Sequence, residues 1–215
     1  MHYPQGETAV AVLRRGPIIP VLTVHNVEDA VALGRALRAG GLKVLEITLR
    51  TPAALHALAA LAKEFPDTMI GAGTVVRPDQ INSACAAGAA FLVSPGMTPL
   101  LTEAARRCPV PFLPGAATVS EMLALQERGF RALKFFPAEP AGGAKFLASV
   151  SGPLPDLLFC PTGGIDARKA PHYLALANVA CVGGSWMAPQ ELIAAQDYAR
   201  IEQLAREASA LGQIP

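Results

Sequence analysis

Charge is scarce in this chain. Only 16% of its 215 residues are Asp, Glu, Lys or Arg, and they balance to a net charge of +1. No cluster of Lys and Arg forms the basic stripe that a nucleic acid or an anionic membrane surface requires. Cysteines are few as well. Cys85, Cys108, Cys160 and Cys181 are widely spaced and make no C-x-x-C pair, which argues against a zinc site or a disulfide framework. No Asp/His cluster suggests a metal. The segment from Met1 to Gly16 has no basic start followed by an apolar run, so no secretory leader is expected and the expected location is the cytoplasm. Two uncharged stretches, between Asp79 and Glu103 and between Lys169 and Glu191, reach the nominal length of a membrane span, about 20 residues. Each is broken by turn formers, at Pro95-Gly96 and at Asn178 and Gly183-Gly184-Ser185, and reads as helix, turn and strand instead.

What is abundant is apolar residue, at 52% of the chain. Short apolar runs alternate with helical patterns along the whole length. Strands are expected over Ile18–Val24, Val44–Arg50, Met69–Val75, Phe91–Gly96, Phe112–Ala117, Ala132–Ala138, Leu157–Gly164 and Val179–Ser185. Ala- and Leu-rich helical segments lie between them, such as Val27–Ala39 and Ala53–Phe65. Pro52 and Pro78 suit first-turn positions, and Gly40, Gly88 and Gly129 suit C-terminal stops. Eight strands with interleaved helices imply parallel pairing and right-handed crossovers. The expected fold is therefore α/β: one parallel (β/α)8 TIM-barrel domain over residues 1–215, with an extra helix over Glu7–Arg15 capping the bottom. Chemistry in such barrels sits at the C-terminal strand ends.

The expected strands carry three charged residues: Glu46, Arg50 and Lys134. Burying a charge in a strand is costly unless it is paired. Side chains alternate along a strand, so Glu46, Thr48 and Arg50 share one face, while Leu45, Ile47 and Leu49 share the other and must meet the helices. The same alternation puts Lys134 and Phe136 together, aimed inward at Glu46 and Arg50. A lysine amine attacks a carbonyl only when neutral, and apolar surroundings with a nearby cation favour that form. Glu46 could move protons. Arg50 offers a planar fork for a carboxylate, and Thr74 could add a hydroxyl. On these residues alone, a structural ion network remains open, as does acid/base work without an imine in a phosphate-binding isomerase or synthase.

The last two strands end in Pro161-Thr162-Gly163-Gly164 and Gly183-Gly184-Ser185. Glycines let backbone N–H groups approach an anion, and the loops after the seventh and eighth strands are the common phosphate site of these barrels. Elsewhere His25 reads as a turn or helix-start residue, Cys160 and Cys181 as core, Arg14-Arg15 as a solvated face, and Trp186 as packing or interface.

Several motifs resemble one family. Val-Leu-Glu46-Ile-Thr-Leu-Arg50-Thr, Gly-Ala-Gly-Thr74-Val, Ser94-Pro95-Gly96, Pro114-Gly115, Lys134-Phe-Phe-Pro-Ala-Glu, Pro161-Thr162-Gly-Gly-Ile and Gly-Gly-Ser185-Trp occur in order. Together they resemble the bacterial 2-keto-3-deoxy-6-phosphogluconate (KDPG) aldolases over about Gly16 to Gly212. The resemblance implies a class I aldolase of the Entner–Doudoroff pathway, usually a homotrimer, acting on a phosphorylated keto sugar acid and releasing pyruvate without a cofactor. It implies Lys134 as the imine-forming residue and Glu46 as general acid/base. It also implies Arg50 and Thr74 at the pyruvate carboxylate, and Pro95 and Phe136 lining the site. Thr162 would meet the substrate hydroxyl and affect stereochemical choice, and Gly163, Gly164, Gly184 and Ser185 would form the phosphate cradle. Many relatives also cleave 4-hydroxy-2-oxoglutarate, and the galactonate-epimer aldolases share the mechanism. Two departures are Thr23, where some relatives carry Arg, and Ala-Ala-Thr after Gly115.

Overall fold

The computed structural model describes residues 5–212. In chain order the elements are α1 (Gln5–Leu13), β1 (Ile18–Leu22), α2 (Val27–Ala39), β2 (Val44–Thr48), α3 (Ala54–Glu64), β3 (Met69–Gly73), α4 (Pro78–Ala86), β4 (Phe91–Val93) and α5 (Pro99–Arg106). They continue with β5 (Phe112–Leu113), β6 (Gly115–Ala116), α6 (Val119–Glu127), β7 (Ala132–Phe135), α7 (Gly143–Val150), β8 (Leu158–Pro161), α8 (Ala170–Leu174), β9 (Val182–Gly184), α9 (Gln190–Ala194) and α10 (Tyr198–Ser209).

Every strand pairing is parallel. One curled sheet runs β5-β4-β3-β2-β1-β9 and a second runs β6-β7-β8. The expected fifth strand, Phe112–Ala117, is two short pieces on different sheets. Pro114 lies between them and has no N–H to give a ladder, yet its carbonyl accepts from the Lys134 amide at 2.9 Å. Isolated bridges join Phe159 to Val179 and Thr162 to Gly183, so the two sheets also touch between β8 and β9. Parallel strands buried on both faces need apolar residues on both. Leu45, Ile47, Leu133 and Phe135 pack outward with Leu33, Leu37, Leu58 and Leu61 of the helices. Val44, Ala132, Ile19, Phe91 and Cys160 form a separate cluster on the concave side, with Ala9, Val12 and Leu13 of α1.

Local signals account for several helix ends. Asn26 accepts from the Asp29 amide at the start of α2, and Thr118 and Glu121 form a reciprocal capping box at the start of α6. Strands end sooner than the sequence pattern suggests. β2 stops at Thr48, and Arg50 lies on the turn that follows, exposed to solvent. Arg50 therefore reaches the C-terminal mouth from a loop and does not occupy a ladder position beside Glu46.

Candidate active site

Register brings the charged strand residues together. Glu46 is paired with Val21 of β1 and Gly71 of β3, and Lys134 with Gly115 of β6 and Cys160 of β8. Both side chains project to the concave side. Lys134 Nζ lies 3.1 Å from Glu46 Oε1 and 3.5 Å from Oε2, and each side chain is only 4% exposed. The same ammonium sits 5.6 Å from the centroid of the Phe136 ring. Gly73 is the reason the carboxylate fits: a Cβ at that position would collide with Glu46 Oε1, Cδ and Cγ.

A cavity of about 460 Å³ opens at the C-terminal strand ends; Lys134 and Glu46 are not among its lining residues, but Phe136, whose ring is 5.6 Å from Lys134 Nζ, and Val21, the register partner of Glu46, are. Arg50, Phe136, Thr162, Gly163, Gly164, Gly184 and Ser185 line it. Arg50 Nε donates to Thr74 Oγ1 at 3.0 Å, which connects Thr74 to the rim. Thr74 holds φ +60°, a region that a β-branched residue adopts only at a cost of about 1–3 kcal/mol and that clusters at functional sites. Thr162 is buried, and Gly183 leaves room for its hydroxyl. Pro95 is not among the cavity-lining residues. It is half-buried, and its carbonyl packs where a side chain on Gly115 would have to go.

Residues that sequence reasoning missed also contribute. His25 lines the cavity and is exposed, and Gln190 lines it while donating to the Thr23 carbonyl at 3.2 Å. Glu139, Lys169 and Tyr173 surround the Gly163-Gly164 loop from outside. Tyr173 donates to Glu139 Oε1, Lys169 Nζ sits 2.8 Å from Glu139 Oε2, and it donates to the Gly164 carbonyl at 2.8 Å. The bond from Lys169, then that from Tyr173, holds the Glu139 carboxyl below its ordinary range. The only signal in the sequence was the Glu that closes the Lys134-Phe-Phe-Pro-Ala-Glu motif. Cys181 is fully buried beside Cys160, and burial pushes its thiol well above the usual range, as suits a core residue. Among the described residues, no group of three or more His, Cys, Asp or Glu side chains could hold a metal ion, and no helix is long and apolar enough to cross a membrane.

Comparison with known proteins gives this geometry a family. Residues 10–204 match the aldolase family described as KDPG and KHG aldolase. The chain belongs to that family. The KHG/KDPG aldolase of Escherichia coli K12 is 47% identical over 201 residues, 94% of each chain. The 2-dehydro-3-deoxy-phosphogluconate aldolase of Dickeya dadantii is 47% identical, covering 94% of this chain and 95% of the relative. Among solved structures, the KDPG aldolase of Legionella pneumophila, holding pyruvate captured at low pH as a covalent carbinolamine intermediate, superposes with a TM-score of 0.92. It is 47% identical, over 94% of this chain and 98% of that one. The Zymomonas mobilis ZM4 enzyme with 3-phosphoglycerate gives 0.90 at 42% identity, over 94% and 95%. These two family members were captured with a keto acid and with a phosphorylated three-carbon acid.

Proposed function

We propose that this chain is a Schiff-base aldolase, a carbon–carbon lyase that cleaves 2-keto-3-deoxy-6-phosphogluconate to pyruvate and glyceraldehyde 3-phosphate. The observation that carries the reading is the buried Lys134–Glu46 pair, 3.1 Å apart, with Phe136 between Lys134 and the cavity lining. A buried ion pair is poorly justified by stability alone, because desolvation offsets its Coulomb gain. It is well suited to moving a proton. Transfer from Nζ to the Glu46 carboxylate leaves an amine able to attack a carbonyl beside a carboxylic acid able to return the proton.

The neutral amine attacks C2 of the keto acid, and Glu46 returns its proton as the carbinolamine loses water. The protonated imine accepts the electron pair of the C3–C4 bond once Glu46, directly or through water, takes the C4 hydroxyl proton. Glyceraldehyde 3-phosphate departs. The enamine is reprotonated at C3, and hydrolysis releases pyruvate and restores Lys134. Arg50, fixed by Thr74, holds the substrate carboxylate by charge-assisted hydrogen bonds. Phe136 and Pro95 flank the pyruvyl group, and Thr162 meets the sugar hydroxyl. Gly163, Gly164, Gly184 and Ser185 present N–H groups to the phosphate. No cofactor is required. The same machinery serves 4-hydroxy-2-oxoglutarate, which lacks the phosphate.

The reading includes a closed (β/α)8 barrel in one domain, with α1 across its N-terminal end. The bridges between β8 and β9, the shared Pro114 between β5 and β6, and the burial of Ala9, Val12 and Leu13 support it. It also includes a cytoplasmic homotrimer. Val76, Leu100, Val119 and Leu123 leave apolar surface exposed next to or on α4, α5 and α6, which favours association.

Borohydride reduction in the presence of pyruvate tests the proposal. A stable mass adduct on Lys134 is expected, and incubation with KDPG should yield pyruvate. No adduct, or full activity in Lys134→Ala, rejects imine chemistry.

A further inference from the structure

The Gly163-Gly164 loop is oriented by three anchored carbonyls. Thr162 C=O accepts from the Ala138 amide at 2.8 Å and Gly163 C=O from the Glu139 amide at 3.1 Å. Gly164 C=O accepts from Lys169 Nζ at 2.8 Å. In a trans peptide the carbonyl and the following N–H point in opposite directions. The N–H groups of Gly163, Gly164 and Ile165 are thus turned away from these anchors, and all three residues line the cavity. Gly163 and Gly164 have φ of +109° and +77°, a left-handed turn that glycine adopts freely and in which backbone amides can face an anion as a nest.

The first two anchors are main chain. The third depends on one flexible side chain, and that side chain is itself held. Glu139 Oε2 lies 2.8 Å from Lys169 Nζ, while Oε1 accepts from Tyr173, which is 1% exposed. Asp166 Oδ1 accepts from the amides of Arg168 and Lys169, each at 3.0 Å, and turns the chain back. The packing is close: a Cβ on Gly164 would stand 3.0 Å from Glu139 Cβ and Cγ. Lys169 is not among the cavity-lining residues, and Glu139 offsets its charge.

We propose that Lys169, clamped by Glu139, is a positioning residue that aims the Ile165 N–H into the anion site and thereby sets the preference for phosphorylated over unphosphorylated substrates. This rests on the reading of the loop as the phosphate cradle. Glycine peptides flip easily because no Cβ resists them, and the side-chain anchor removes that freedom before substrate arrives.

The test compares wild type with Lys169→Met, Glu139→Gln and Lys169→Arg on KDPG and on 4-hydroxy-2-oxoglutarate, with inorganic phosphate as inhibitor. Loss of a charge-assisted hydrogen bond predicts about a tenfold rise in KM for KDPG in Lys169→Met, with phosphate inhibition weakened in parallel. Glu139→Gln should shift both in the same direction, and Lys169→Arg should restore them. Kinetics on the unphosphorylated substrate and the rate of pyruvate trapping on Lys134 should stay within about twofold, because neither needs the anion nest. Equal losses on both substrates, or an unchanged KM for KDPG in Lys169→Met when wild type prefers KDPG, overturn the positioning role. A wild type that forms no pyruvate adduct, or shows no preference for KDPG, overturns the underlying reading and the proposal with it.

Discussion

Lys134 Nζ and Glu46 Oε1 stand 3.1 Å apart on opposite sides of the concave strand surface, separated by 88 positions in sequence. Among the described residues Glu46 is the one carboxylate at ion-pair distance from Lys134, and Lys134→Met isolates what the pair does. It removes the proposed nucleophile, so aldol cleavage should fall to background and borohydride should trap no pyruvate. It also leaves a carboxylate buried without its partner, which costs about 3–5 kcal/mol when charged. The double variant Lys134→Met/Glu46→Leu should recover most of that stability in urea titrations while remaining inactive. A double variant no more stable than Lys134→Met would mean that the pair is not electrostatically coupled.

Gly73 makes a sharper test of Glu46 than replacing Glu46 itself. Its missing Cβ is the space that Glu46 Oε1 occupies. Gly73→Ala should push the carboxylate aside while retaining both charges. Misplacing a general acid/base should lower kcat by about 10²-fold or more. Because Lys134 remains, pyruvate should still be trapped by borohydride, but more slowly. Wild-type kcat in a folded Gly73→Ala would contradict the assigned proton role of Glu46.

Acid sensitivity should include a contribution from the start of α6. Glu121 accepts from the Ala117 amide at 2.8 Å and the Thr118 amide at 2.9 Å. The Ala117 bond is the larger cause holding its carboxyl below the ordinary range. A carboxyl depressed in the folded state adds stability that is complete above its unfolded value of about 4.3 and is lost as pH falls through the lower folded value. Glu121→Gln should therefore be less stable than wild type at pH 7, with the difference shrinking below about pH 4. Solvent screening limits the effect to about 1 kcal/mol. Urea midpoints across pH measure it, and a deficit that persists at low pH would assign the loss to packing instead.

The sequence was most readable where burial enforces a period of two. Val44, Glu46 and Thr48 alternate with Leu45 and Ile47, and the structure puts the two sets on opposite faces. Alternation could not say where pairing ends. Arg50 continues the pattern but lies beyond β2, because hydrogen-bond partners and not side-chain parity terminate a strand. Pro114 divides a segment that looks continuous, since a missing N–H matters only once the neighbouring strands are known. The glycines after the seventh and eighth strands were visible as a pattern at the expected ends. The space that Gly73 and Gly183 leave for Glu46 and Thr162 was not, because it depends on cross-strand contacts. Lys169 was hidden for the same reason: its role comes from a carbonyl five residues away in a loop of positive φ.

Thr74 combines a strained backbone with a contact to Arg50, and the two can be separated. At φ +60° a threonine is strained where a glycine is not. Thr74→Gly should thus relieve native-state strain worth about 1–3 kcal/mol, while the freer unfolded chain takes back about 1 kcal/mol. The net stability should rise slightly or stay level, unlike most threonine-to-glycine changes. The hydroxyl that receives Arg50 Nε at 3.0 Å disappears at the same time. With its guanidinium no longer fixed, KM for pyruvate-derived substrates should rise about tenfold, the cost of losing one charge-assisted bond and the order that came with it. Thr74→Ser keeps the hydroxyl and should keep KM near wild type. Denaturant midpoints and steady-state kinetics on the three proteins decide the matter. A Thr74→Gly that loses stability outright would mean that the left-handed backbone at this position is held by the side chain, and that strain is not what the rim stores.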